Sequence, residues 1–234
     1  MRDLGLRGPQ RCHRSSLSAK MSGVTGLVCL QGGAEFGPGC ESMDTAMLLG
    51  PDGDARRVLV APFAGRPGRE REVAAGNARR WYLGLGAQDV AVALEESGAF
   101  AEALVNAELL VLPGGSPARL LEALTPHVEL LRSASARGMA ISGSSAGAMV
   151  LCRWTVIPGA VQRVTAALGL VPVDLVVPHY RGWVDWLDAA LPVLPPDPVV
   201  LGLPERSGVV VRPDGSWVPV GVDLVTALAP RHGD

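Results

Sequence analysis

The chain has 234 residues, 48% of them hydrophobic and 19% charged, so it can bury a sizeable core as one domain. Its net charge of −2 gives no electrostatic case for nucleic acid. No apolar run approaches the ~18 residues of a membrane span, and Cys12, Cys29, Cys40 and Cys152 show no metal-ligand spacing. Scattered thiols of this kind fit a reducing, cytoplasmic setting.

Residues 1–22 read as a basic, disordered tail. Arg2, Arg7, Arg11, Arg14 and Lys20 oppose a single acid, Asp3, and the apolar segment of a secretory signal is missing. Residues 23–234 read as a single α/β domain. Thr25 to Gln31 is an apolar strand that runs into Gly32-Gly33, and an amphipathic run follows from Cys40 to Leu49. Arg57 to Pro62 is a second strand. Arg69 to Leu85 is a helix with its Arg- and Glu-rich face toward solvent. Asp89 to Leu94, the helical Ala99 to Asn106 and Leu109 to Pro113 continue the alternation. Helices are expected over Pro117–Leu124 and His127–Arg137. Strands alternating with helices give a mostly parallel sheet covered on both faces, and the unbroken apolar Val58-Leu59-Val60-Ala61 suits such a sheet.

Next comes Met139 to Ile141, a short buried strand, followed by Gly143-Ser144-Ser145-Ala146-Gly147 and the helical Met149-Val150-Leu151. A G-x-S-x-G pattern between strand and helix is a nucleophile elbow. Three serines compete, Ser142, Ser144 and Ser145, and only Ser145 has a glycine two residues away on each side. Small neighbours leave room for the tight turn, and a helix N-terminus favours developing negative charge.

The last third changes character. Asp174 to Val177 is a strand ending in Pro178-His179-Tyr180, and Val184 to Leu191 is helical, with Trp183 and Trp186 read as packing residues. Short strands then follow at Val199–Leu203, Gly208–Arg212, Ser216–Val220 and Leu224–Ala229, with a Pro213-Asp214-Gly215 turn. They are expected to be antiparallel and to extend one edge of the sheet.

A serine hydroxyl needs a base to take its proton, and histidine titrates in the right range. His13 falls in the tail and His127 at a helix start. His179 follows an apolar strand, at the end where ligands bind in open α/β sheets, and is favoured over His232. Glu205, after the strand Leu201-Gly202-Leu203, is the candidate to orient the imidazole, with Asp174 and Asp185 as rivals. The Ala146 amide and one from Gly114-Gly115, that of Gly115, could hold an oxyanion. No G-x-G-x-x-G dinucleotide pattern is present.

Taken together, Leu112-Pro113-Gly114-Gly115-Ser116, Gly143-Ser144-Ser145-Ala146-Gly147-Ala148, Pro178-His179-Tyr180 and Leu201-Gly202-Leu203-Pro204-Glu205 resemble the signature blocks of the peptidase E (aspartyl dipeptidase) and cyanophycinase family. The likeness spans roughly residues 23–228. It implies a class I glutamine amidotransferase-like, flavodoxin-like three-layer sandwich with antiparallel strands at the C-terminal edge. It implies a triad Ser145, His179, Glu205 and an oxyanion hole from the Gly115 and Ala146 amides. In the family an acidic residue usually begins the histidine block and several arginines follow it. Here Pro178 precedes His179, and only Arg181 comes before Gly182-Trp183. Arg181 or Arg206 is the candidate for a substrate carboxylate.

The expected activity is that of a serine peptidase on small peptides or isopeptides, without metal or cofactor. A small peptide is the expected partner, with no nucleic acid or membrane, and a homodimer is the assembly allowed for. The alternatives are an esterase or amidase of α/β-hydrolase type using His232, and a non-catalytic binding protein on the same scaffold. A glutaminase fits poorly, because serine holds the nucleophile position and Cys152 lies down the following helix.

Overall fold

A computed structural model describes residues 26–228 except 97, 160, 161, 183 and 185. The expected basic tail, His232, Trp183 and Asp185 lie outside the described residues. A seven-stranded sheet forms the centre, in the spatial order Trp217–Gly221, Ser207–Val211, Val28–Gln31, Ala140–Ser144, Leu109–Leu112, Val58–Val60, Val90–Val92. Its parallel part comprises β1 (Val28–Gln31), β2 (Val58–Val60), β3 (Val90–Val92), β4 (Leu109–Leu112) and β5 (Ala140–Ser144).

The strands are apolar without alternation because both sheet faces are buried. Val28, Leu30, Leu110, Leu112 and Ile141 point into one core. It is roofed by α3 (Gly98–Asn106), α4 (Pro117–Leu124), α5 (Val128–Ala136) and α6 (Ala146–Leu151). Their strand neighbours Cys29, Leu109, Val111 and Ala140 point the other way, under α1 (Glu41–Leu48) and α2 (Arg69–Gly84). That period of two places alternate residues of one strand in two different layers.

Local signals set several boundaries. Pro117 opens α4, and the Ser116 side chain accepts a hydrogen bond from the Arg119 amide as its N-cap. The helix expected from His127 starts one residue later, because Thr125–His127 winds as a 3-10 turn around Pro126. Helix α2 departs from its expected solvent face at one position. Arg71 is 4% exposed. Its guanidinium donates to the carbonyls of Gly65 and Leu94, pairs with Glu96 and lies over the Phe63 ring. A buried guanidinium is tolerable only with its donors satisfied in this way.

The C-terminal strands divide. As expected, β10 (Ser207–Val211) and β11 (Trp217–Gly221) extend the sheet antiparallel beyond β1. Pro219 sits in the outermost strand, where a missing N–H is tolerated. By contrast, β8 (Leu175–Pro178), β9 (Val200–Leu203) and β12 (Thr226–Leu228) form a separate three-stranded sheet, in which β8 and β9 run parallel. The reason is the crossover between them: α7 (Trp186–Ala190) and a 3-10 turn (Leu191–Val193) make a βαβ unit, not a hairpin. Trp186 packs against the core there. A β6 (Trp154–Ile157) and β7 (Arg163–Ala166) hairpin was not anticipated; its strands are short and partly exposed. Leu175, Val177, Leu201 and Leu203 join the same core cluster as Leu110 and Ile141, so the small sheet is packed onto the large one. Among the described residues no helix is long and apolar enough to cross a membrane.

Candidate active site

Strand β5 ends at Ser144 and α6 begins at Ala146, leaving Ser145 alone in the turn with φ 50° and ψ −108°. This is a strained conformation for a residue with a Cβ. Its neighbours on both sides are buried while Ser145 itself is half-exposed. The turn demands its glycines. A Cβ on Gly143 would lie 2.6 Å from the Gly147 carbonyl carbon, and one on Gly147 would lie 2.2 Å from the Leu112 oxygen.

The Ser145 Oγ lies 3.0 Å from Nε2 of His179. The His179 Nδ1 lies 2.9 Å from Oε1 of Glu205. An ionised carboxylate only accepts, so Nδ1 carries the proton and donates to Glu205. Nε2 is then left as the acceptor for the serine hydroxyl. Glu205 is held below the usual carboxylate range, chiefly by the hydrogen bond from His179 and further by the charges of His179, Arg181 and Arg206.

The rivals fall elsewhere. Asp174 is buried, accepting from Arg153 and from the Val199 amide. His127 stacks edge-on against Phe100. Ser142 accepts from Gln31, and Ser144 donates to Glu35. Cys152 is fully buried, with its thiol pushed far up by desolvation, and is no nucleophile.

The amides of Gly115 and Ala146 meet no acceptor among the described residues. Gly115 has φ 140° and presses against the Ala64 carbonyl, which only glycine permits. Arg181 is 84% exposed, with its guanidinium 3.9 Å from Glu205. Arg206 is exposed beside the same carboxylate. Among the described residues no group of three or more His, Cys, Asp or Glu could hold a metal ion.

Strain concentrates here. Six non-glycine residues among those described have positive φ: Ala34, Phe36, Ser145, His179, Asp197 and Arg206. All but Asp197 lie in the loops around Ser145, His179 and Glu205. Sequence reading passed over the loop after β1. There the Glu35 carboxylate accepts from the Gly114 amide at 2.9 Å and from the Ser144 hydroxyl at 2.9 Å. The available signal was Gly32-Gly33-Ala34-Glu35 at the carboxyl end of a buried strand, a setting shared with Gly114-Gly115.

A family model described as Peptidase family S51 matches residues 30–214. The fold is similar to that of a peptidase from an acI-B1 Actinobacterium, with 24% identity and a TM-score of 0.74 over 88% of this chain and 91% of that one. It is also similar to a peptidase E candidate from Listeria monocytogenes EGD-e, with 16% identity and a TM-score of 0.59 over 85% and 99%. Among curated proteins none matches the chain. The structural likenesses speak to the fold, and the family match runs through most of the sequence: the chain belongs to peptidase family S51 and is a serine-type peptidase.

Proposed function

We propose that Ser145, His179 and Glu205 hydrolyse small peptides or isopeptides through an acyl-enzyme. The observation that carries this reading is the unbroken hydrogen-bond chain from Ser145 Oγ through the imidazole to Glu205. In the first step Ser145 Oγ attacks the scissile carbonyl while its proton passes to His179 Nε2. Glu205 stabilises the imidazolium so formed. The oxyanion is received by the Gly115 and Ala146 amides, which are free to donate. The leaving amine then takes the proton from His179, and a water activated by the same nitrogen releases the acyl group.

An open groove of ≈ 640 Å³ borders the site at Glu35 and Pro113 and runs along α2 past Arg69 and Val73. It gives an extended substrate room beyond the reacting bond. Arg181 and Arg206, both exposed beside Glu205, are placed to meet a substrate carboxylate. For an acidic dipeptide, Arg181→Ala should raise KM about tenfold or more with little change in kcat; an unchanged KM removes Arg181 from recognition.

The triad is tested by mass-spectrometric labelling with a fluorophosphonate. Modification at Ser145, absent in Ser145→Ala and slowed in His179→Ala, is the expected result. No modification of folded wild-type protein overturns the reading.

A further inference from the structure

The end of β1 and the loop after it touch every segment of the proposed site. The Gln31 carbonyl accepts from the Ser145 amide, the Gly32 carbonyl from His179 and the Gly33 carbonyl from Arg206. Glu35 supplies the fourth hold, and it is the only one of these made by a side chain. One carboxylate oxygen takes the Gly114 amide and the other the Ser144 hydroxyl. Those two residues immediately precede the strand-end glycine and the nucleophile. The amides proposed to bind the oxyanion, Gly115 and Ala146, therefore hang on two separate segments that Glu35 ties together. Ala34 and Phe36, on either side, both take positive φ, at 56° and 59°. The backbone bears strain where it delivers this one side chain.

We propose that Glu35 is a positioning residue that sets the spacing of the two oxyanion-hole amides. This inference rests on the acyl-enzyme reading above. A carboxylate suits the task because both of its oxygens accept, one facing an amide that can only donate. Removing it frees the Gly114–Gly115 turn from the elbow without touching Ser145, His179 or Glu205.

The test is the second-order rate of Ser145 phosphonylation by a fluorophosphonate. In this reaction Oγ attacks phosphorus, fluoride leaves, His179 takes the proton and the phosphonyl oxygen occupies the oxyanion position. Glu35→Ala should lower the rate about tenfold or more, toward the 10²–10³-fold loss typical of a missing oxyanion donor, with the shape of the pH profile unchanged. Glu35→Gln should restore it to within about threefold of wild type. Its oxygen accepts from Gly114, and its amide donates to a Ser144 hydroxyl turned round. Ser144→Ala should be slowed, and the Glu35→Ala/Ser144→Ala double variant should be no slower than Glu35→Ala alone. An unchanged rate in Glu35→Ala, a Glu35→Gln variant as slow as Glu35→Ala, or additive losses in the double variant overturn the inference. An unlabelled wild type overturns the acyl-enzyme reading and this inference with it, whereas a labelled wild type with insensitive Glu35 variants overturns the inference alone.

Discussion

Ser145 and His179 both occupy left-handed backbone, at φ 50° and 52°. Each such residue costs on the order of 1–3 kcal/mol, which the surrounding hydrogen bonds offset. The ring of His179 packs against Gly33, where an added Cβ would come within 2.3 Å of its Cε1. The imidazole is thus fixed from one side by a glycine and from its far nitrogen by Glu205. Glu205→Gln keeps the shape but lets the wrong tautomer form. If the proposed triad operates, this change should lower kcat by about 10⁴-fold, and steady-state kinetics on a peptide substrate checks it. Because Glu205 is held below the usual carboxylate range, it stays ionised as the medium is acidified.

At the scale of elements, α1 and α2 are tied to β1 by a buried carboxylate. Asp44 on α1 is 1% exposed. It accepts from Gln31 Nε2 at 2.7 Å, from the Trp81 indole at 2.7 Å and from the Tyr82 hydroxyl at 3.2 Å. Asp44→Ala removes the acceptor of a buried amide, a buried hydroxyl and a half-buried indole, and should cost about 2–3 kcal/mol, measured by urea unfolding. Burial raises the Asp44 carboxyl above its ordinary value of 3.8, against the three hydrogen bonds that lower it. The native state therefore holds this proton more tightly than the unfolded chain. The stability it contributes is full below the ordinary carboxylate value and is lost as pH rises through the folded one. Unfolding measured across that window should show the advantage of wild type over Asp44→Asn shrinking as pH rises; a constant difference would contradict this.

For the whole molecule, the proposed triad is assembled across two sheets. Ser145 follows a strand of the large sheet, while His179 and Glu205 follow β8 and β9 of the small one. One continuous apolar core, from Leu30 and Leu110 to Val177 and Leu203, fills the space between them. A shared core of this kind makes the sheets unfold together. Loss of fluorophosphonate reactivity and loss of far-UV circular dichroism should therefore share one denaturant midpoint. Reactivity lost at clearly lower denaturant would mean that the small sheet detaches first.

Much of this was legible in one dimension because it rests on local physics. Unbroken apolar runs report strands covered on both faces. Gly143 and Gly147 report a turn with no room for side chains, and the apolar strands ahead of His179 and Glu205 place those residues at strand ends. Other features depend on what lies across space. The helix between β8 and β9 was legible, but their parallel pairing depends on which strand the crossover returns to, which no local pattern encodes. Arg71 turns inward because Leu94 and Glu96, 23 and 25 residues away, join Gly65 in satisfying its donors. Glu35 gains its place only when the loop after β1 meets the elbow and the Gly114 turn, 109 and 79 residues away. The sequence by itself determined which residues carry reactive groups and which strand each follows, since propensity and burial pattern act over a few neighbours. Only the tertiary structure decided which of those groups meet, because hydrogen bonds at 2.9–3.0 Å are set by the packing of sheets.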